Sequence, residues 1–121
     1  MKAKARLVAR GFSQKEGIDY FETFAPTPSA VSIRLIAATS VENDLHLFHL
    51  DAEQAFVQSK LDTDVYMRMP RGCGDLSGKV VILNKSLYEL KQAARTWHEL
   101  LITTLKKNGP SSAPPTLAFS R

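Results

Sequence analysis

Leu45-His46-Leu47-Phe48-His49-Leu50-Asp51-Ala52-Glu53-Gln54-Ala55-Phe56 is the stretch on which the reading of this chain turns. Its first six side chains are aliphatic or aromatic, and a short run of that kind predicts a buried β-strand. The run ends in the carboxylate of Asp51, followed by small Ala52 and Ala55 and by the ring of Phe56. A carboxylate at a strand end suits a hard divalent cation such as magnesium, which takes oxygen ligands and keeps waters and substrate phosphates in its shell. The same residue also fits the start of a turn or the cap of the next segment. One carboxylate does not make a metal site, so the neighbours decide.

Downstream, Asp62 and Asp64 lead into Val65-Tyr66-Met67-Arg68-Met69, a predicted strand closed by Pro70 and Gly72. The two aspartates read as solvated turn residues. After a turn-rich loop over 72–78, Lys79-Val80-Val81-Ile82-Leu83-Asn84-Lys85 is a second strand, and the shortest connection pairs the two as a hairpin. Ser86-Leu87-Tyr88-Glu89 has the capping-box spacing, and Leu87, Leu90, Ala94, Trp97, Leu101 and Leu105 recur at three- and four-residue steps. They predict a helix from Ser86 to Lys107 with Trp97 in the core and Lys91, Gln92 and Arg95 on the solvated side. Lys106 and Lys107 favour its C-terminal dipole, and Gly109-Pro110 stops it. Residues 110–121, beginning Pro-Ser-Ser-Ala-Pro-Pro, predict a disordered tail.

Upstream, Val31, Ile33, Leu35, Ile36 and Ala38 give a helix an apolar face, with Ser29 or Ser32 as its N-cap and Asn43-Asp44 at its end. Residues 11–28 carry two prolines, Gly17 and four aromatic rings, a loop packed onto a core. From Met1 to Phe12, Lys2, Lys4, Arg6, Val8 and Arg10 alternate with Ala3, Ala5, Leu7 and Ala9, which predicts a half-exposed strand with a cationic face. Lys4 and Arg6 would then point together at phosphate oxygens, or simply protect a solvated edge strand from pairing.

The 121 residues fit one domain or part of a larger one, and 44% hydrophobic content supports a modest core. Sixteen Lys and Arg against twelve Asp and Glu leave a net charge of +4, which makes a polyanion a reasonable partner. The single Cys73 excludes an internal disulfide and a multi-cysteine zinc site. A reducing interior, cytoplasmic or nuclear, is the expected location, and the absence of a signal-like or membrane-length apolar run argues against secretion or a membrane. His46 and His49 fall on opposite faces of a strand, which argues against joint metal ligation.

The order of these segments carries a resemblance. Lys4-Ala5-Arg6-Leu7-Val8-Ala9-Arg10-Gly11-Phe12, Gln14 to Tyr20, Glu22-Thr23-Phe24-Ala25-Pro26 and Ser32-Ile33-Arg34-Leu35 come first. His49-Leu50-Asp51 with Ala55-Phe56, Val65-Tyr66-Met67, Lys85-Ser86-Leu87-Tyr88, Leu90-Lys91-Gln92-Ala93 and Arg95 follow. Collinear over about residues 2–108, they closely resemble the reverse transcriptases (RNA-directed DNA polymerases) of copia-type retrotransposons.

The resemblance implies an α+β fold: the fingers and first part of the palm of a right-hand polymerase, an incomplete antiparallel sheet with packed helices. Residues 2–109 would form this partial domain. Asp51 falls on the family's first catalytic aspartate, a ligand of Mg2+, and Ala52 would offer backbone contact to the metal. Lys4 and Arg6 resemble the residues that grip the triphosphate, Phe56 the ring that excludes a 2′-hydroxyl, and Gln92 the glutamine near nucleotide and template. Partners by resemblance are an RNA or DNA template-primer and deoxynucleoside triphosphates.

Some positions depart from the family. Its Tyr-x-Asp-Asp hairpin, which supplies the remaining aspartates, is absent, and Asp-Asp occurs nowhere in the sequence. Ala52 stands where the family has Val. Glu89 and Ala94 replace a Gly and a Pro that would interrupt the helix near Gln92, so the segment is expected to run straight. The expectation is a truncated reverse transcriptase inactive alone in two-metal nucleotidyl transfer. The alternatives are a non-catalytic nucleic-acid-binding module and a non-functional remnant.

Overall fold

The computed structural model describes residues 5–108. Two helices and a two-stranded antiparallel sheet form a small α+β arrangement: α1 is Ala30–Glu42, β1 is Tyr66–Arg68, β2 is Val80–Ile82 and α2 is Ala93–Asn108. Short 3-10 turns lie at Gly11–Ser13, Ala55–Gln58 and Gly74–Leu76.

The expected hairpin is present. Tyr66 pairs with Ile82, Met67 with Val81 and Arg68 with Val80. Leu83 N–H to the Val65 carbonyl (2.9 Å) and Met69 N–H to the Lys79 carbonyl (2.9 Å) extend the ladder at each end. It stops at Pro70, which has no N–H to donate. The period-two pattern holds: Val65 is buried and Met67, Val81 and Leu83 are half-buried, while Tyr66, Arg68, Val80 and Ile82 face outward.

Among the described residues the buried apolar side chains are Ala9, Val65, Leu90 and Ala93, with Phe56, Leu61, Met67, Leu83 and Leu87 packed around them. Polar residues are buried beside them: Ser59, Ser86, Gln92 and Thr96. Gln92 is 0% exposed. Its Nε2 donates to the Asp19 carbonyl (2.9 Å) and its Oε1 accepts from Gln14 Nε2 (3.0 Å), while Gln14 Oε1 accepts the Lys91 backbone N–H (2.8 Å). This tie fastens the 14–19 loop to the start of α2 and satisfies every buried group it contains.

Four expectations are corrected. Residues 45–50 form no strand, and their apolar side chains are exposed, Phe48 by 85%. A run of this kind is buried only where a second surface covers both faces, and none does among the described residues. The N-terminal segment is extended but pairs only through a parallel bridge between Val8 and Tyr88, and Ala9 N–H donates to the Tyr88 carbonyl (2.9 Å). Residues 1–4, and the predicted helix stop and disordered tail at 109–121, lie outside the described residues.

Third, α2 begins at Ala93, not Ser86. Ser86 caps nothing: its hydroxyl is buried without a partner among the described residues, and its N–H donates to the Ser59 carbonyl (2.9 Å). Glu89 takes φ +72°, a left-handed conformation that interrupts any helix. The segment therefore turns at Glu89 instead of running straight. The buried stripe shifts accordingly: Ala93 and Thr96 are buried, Trp97 and Leu101 half-buried, and Ala94 exposed.

Fourth, α1 forms as read but its apolar face is open. Ser29 is the N-cap, its hydroxyl accepting the Ser32 N–H (3.1 Å). At the other end Leu45 N–H reaches the Ser40 carbonyl (2.8 Å) and Asp44 N–H the Val41 carbonyl (3.3 Å), with Asp44 at φ +52°. That is the Schellman arrangement with Asp in glycine's usual place. Yet Val31, Ile33, Leu35 and Ile36 are all exposed.

No helix among the described residues is long and apolar enough to cross a membrane.

Candidate functional site

The chain bends sharply after Asp51. Gln54 takes φ +51°, and the 3-10 turn Ala55–Gln58 follows, closed by Val57 N–H to the Gln54 carbonyl (3.1 Å) and by Gln58 Nε2 to the Glu53 carbonyl (2.7 Å). Ser59 locks the turn to α2: its hydroxyl donates to the Phe56 carbonyl (3.0 Å) and meets the Thr96 hydroxyl (3.0 Å). Thr96 is therefore buried for a reason that helical periodicity does not show.

These constraints fix the ring of Phe56, which meets Tyr88 edge-to-face with centroids 5.7 Å apart and planes at 83°. The Arg6 guanidinium lies over the other ring of that pair, 5.6 Å from the Tyr88 centroid. An aromatic pair contributes about 0.5–1.5 kcal/mol beyond its area and an exposed cation–π contact about 0.5–1. Tyr88 thus links Arg6 to Phe56, while its own backbone is held by the bridge to Val8.

Around this link lies an open hollow of roughly 660 Å³ whose walls include Arg6, Asp51, Ala52, Glu53, Phe56 and Tyr88. Four residues singled out from the sequence, Arg6, Asp51, Ala52 and Phe56, are brought together. Lys4 lies outside the described residues. Gln92 does not line the hollow: its amide is spent inside the protein on Gln14 and Asp19.

Asp51 is exposed, and among the described residues its carboxylate has neither a hydrogen bond nor an ion pair. Glu53 is the other carboxylate of the hollow. No group of three or more His, Cys, Asp or Glu side chains able to hold a metal gathers among the described residues. The donor set present does not fit a complete magnesium site, which calls for oxygen ligands in near-octahedral array.

Two features escaped the sequence reading. Tyr88 fell inside the apparent capping box, and nothing in local spacing showed that its ring joins two distant residues. Arg95, read as solvated, is the hub of three ion pairs: Asp62 at 2.8 Å, Glu99 at 2.9 Å and Glu22 at 3.4 Å. Only the pairing with Glu99, four residues on, was visible in helical spacing. Its charge is matched within the fold, so Arg95 fastens loops to α2.

Comparison with known proteins yields a consistent set of similarities. The model of the family described as "Reverse transcriptase (RNA-dependent DNA polymerase)" matches residues 1–116. The chain is 45% identical over 101 residues to the retrovirus-related Pol polyprotein from transposon TNT 1-94 of Nicotiana tabacum, covering 81% of this chain and 8% of that polyprotein. It is 44% identical over 97 residues to the retrovirus-related Pol polyprotein from transposon RE1 of Arabidopsis thaliana, covering 78% of this chain and 7% of the relative. With the Ty1-BL Gag-Pol polyprotein of Saccharomyces cerevisiae the identity is 31% over 106 residues, 86% of this chain and 6% of the relative. The chain thus spans less than a tenth of the curated relatives it matches. No solved structure matches it.

Proposed function

This chain belongs to the reverse transcriptase (RNA-dependent DNA polymerase) family, and from that premise we propose that residues 2–109 are the fingers and first part of the palm of a copia-type right-hand polymerase. Its hollow is the nucleotide-facing part of a site for RNA-directed DNA synthesis. The single observation that carries this is convergence. Arg6, Asp51 and Phe56, up to fifty positions apart in sequence, line one cavity with Tyr88 as the link between two of them.

In this reading Arg6, steadied by the Tyr88 ring, presents a planar fork of donors to the oxygens of a deoxynucleoside triphosphate, and Lys4 adds a second cation. Phe56, held by the Ser59 and Thr96 contacts, forms the wall against the sugar and excludes a 2′-hydroxyl. Asp51 and Ala52 stand at the mouth as the carboxylate and the backbone group of the family's metal-holding position. Mg2+ is implied by the family, but these residues alone do not assemble its ligands, and no chemical step is derived through it.

The incomplete carboxylate set favours a second reading of the isolated chain: it holds nucleotide and nucleic acid without turnover. On a primed template it is expected to incorporate no nucleotide.

Calorimetric titration with a deoxynucleoside triphosphate in the presence of a chelator tests the proposal. Wild-type protein should bind, and Arg6→Ala should weaken binding about tenfold or more, since hydrogen bonds to charged groups contribute about 1.5–3 kcal/mol and 1.4 kcal/mol is a factor of ten. Phe56→Ala should narrow the preference for deoxy- over ribonucleotides. Absent binding, or binding that Arg6→Ala leaves unchanged, refutes it.

A further inference from the structure

We propose that Ser59 and Thr96 are positioning residues for sugar selection: their paired hydroxyls hold the Phe56 turn in place against α2 and so keep its ring where it meets the sugar. The inference rests on the nucleotide reading of the hollow and goes past it, because neither residue lines that hollow. Whatever they do to a bound nucleotide passes through Phe56.

Counting protons gives the pair a direction. Three contacts join the two hydroxyls to each other and to their surroundings: Ser59 Oγ to the Phe56 carbonyl (3.0 Å), Ser59 Oγ to Thr96 Oγ1 (3.0 Å) and Thr96 Oγ1 to the Ala93 carbonyl (3.2 Å). Each hydroxyl has one proton to give, so only two of the three are made at a time. The Ala93 carbonyl opens α2 and has the intrahelical N–H four residues on. The Phe56 carbonyl receives no backbone N–H among the described residues, so the Ser59 proton is what satisfies it. The order that serves both carbonyls and puts a proton between the two hydroxyl oxygens is Thr96 O–H to Ser59 and Ser59 O–H to Phe56. A relay thus runs from the first turn of α2 to the turn that carries Phe56.

The surroundings stiffen this relay. Ser59 is 1% exposed and Thr96 5%, so water has little access to compete for their protons. The Ser59 carbonyl is held as well, by the Ser86 N–H (2.9 Å). Phe56 is therefore fixed through its carbonyl from α2 and through its ring from Tyr88. Rejecting a single hydroxyl needs a wall kept to within about 0.5 Å, and these contacts supply that constraint from behind the wall.

The test is calorimetric titration of the whole chain with dATP and with ATP in the presence of a chelator, read as the ratio of the two affinities. Ser59→Ala should lower the deoxy-to-ribo ratio about two- to tenfold, the worth of one intramolecular hydrogen bond, by tightening ATP while dATP binding holds. Thr96→Val should lower it less, because Ser59 keeps its bond to Phe56, and Thr96→Ser, which retains the hydroxyl, should hold the wild-type ratio. In a Phe56→Ala background Ser59→Ala should change the ratio no further, since the ring through which it acts is gone. A wild-type ratio in Phe56→Ala removes the nucleotide reading and this inference with it. A ratio that narrows in Phe56→Ala but not in Ser59→Ala overturns the inference alone. Equal loss of dATP and ATP in Ser59→Ala, an effect of Ser59→Ala that persists without the ring, or Thr96→Ser behaving like Thr96→Val overturns it too.

Discussion

Replacing Glu89 by glycine should stabilise this protein. Glu89 holds φ +72°, where the Cβ of an L-residue crowds its own backbone at a cost of about 1–2 kcal/mol. Glycine removes that cost and returns about 0.5–1 kcal/mol of it as extra freedom in the unfolded chain, for a net gain of about 0.5–1 kcal/mol. The side chain is exposed and, among the described residues, makes no hydrogen bond or ion pair, so its removal forfeits nothing. With a urea slope of roughly 1 kcal/mol/M for a small domain, the unfolding midpoint should rise by about 0.5–1 M. Glu89→Ala is the control. It removes the carboxylate but keeps Cβ, and should stay within about 0.5 kcal/mol of wild type. If alanine stabilises as much as glycine, the gain comes from charge and the backbone argument fails. If glycine is neutral or destabilising, Glu89 is not strained.

Three further outcomes follow from the same geometry. Gly11→Ala should destabilise by about 1–3 kcal/mol in urea unfolding, because its Cβ would meet the Glu89 carbonyl oxygen, backbone that cannot swing aside. Gln92→Leu should cost about 1–3 kcal/mol by leaving Gln14 Nε2 unmet and removing one donor from the Asp19 carbonyl, and a melting temperature within a degree of wild type would refute the buried tie. Tyr88→Phe should bind triphosphate like wild type because the ring survives, whereas Tyr88→Leu should bind about tenfold more weakly by calorimetry, from loss of both ring contacts. Equal binding by the two would remove Tyr88 from the site.

What was legible in the sequence was local. The hairpin was legible from two short strand-forming runs, 65–69 and 79–85, separated by Pro70 and a turn-rich loop, and the start of α1 from Ser29. The cap spans three residues and the hairpin joins neighbouring segments through one loop, distances that pattern, turn residues and capping chemistry describe well. The meeting of Arg6, Asp51, Ala52 and Phe56 came from the resemblance, since no periodicity relates position 6 to position 51. Position 89 shows why the rest was hidden. Ser86-x-x-Glu89 has capping-box spacing and Glu is a good helix former. But Ser86 N–H is engaged by the Ser59 carbonyl and the Glu89 carbonyl lies against Gly11. Tertiary contacts selected a turn that the local sequence disfavours, and with it displaced Gln92 from the helix surface to the interior.

The distribution of burial inverts the usual expectation, and the inversion explains which readings failed. Among the described residues Gln92, Ser59 and Ser86 are the most deeply buried side chains, whereas Leu35 is 66% exposed and Phe48 85%. A hydrophobic pattern states which face of an element gains from being covered; it carries no information on whether residues 5–108 supply the cover. Around Gly11, Glu89 and Gln92 the segments approach closely enough for backbone to touch backbone, so specific hydrogen bonds take over the cohesive role that apolar area plays elsewhere. Helix α1 and residues 45–50 lie outside that knot, and Asp51 is where the uncovered run gives way to the clamped turn at 55–58. The carboxylate on which the proposed activity depends is therefore joined on one side to the firmest part of the molecule and on the other to its least supported. Anything that covered residues 45–50 would also settle the position of Asp51.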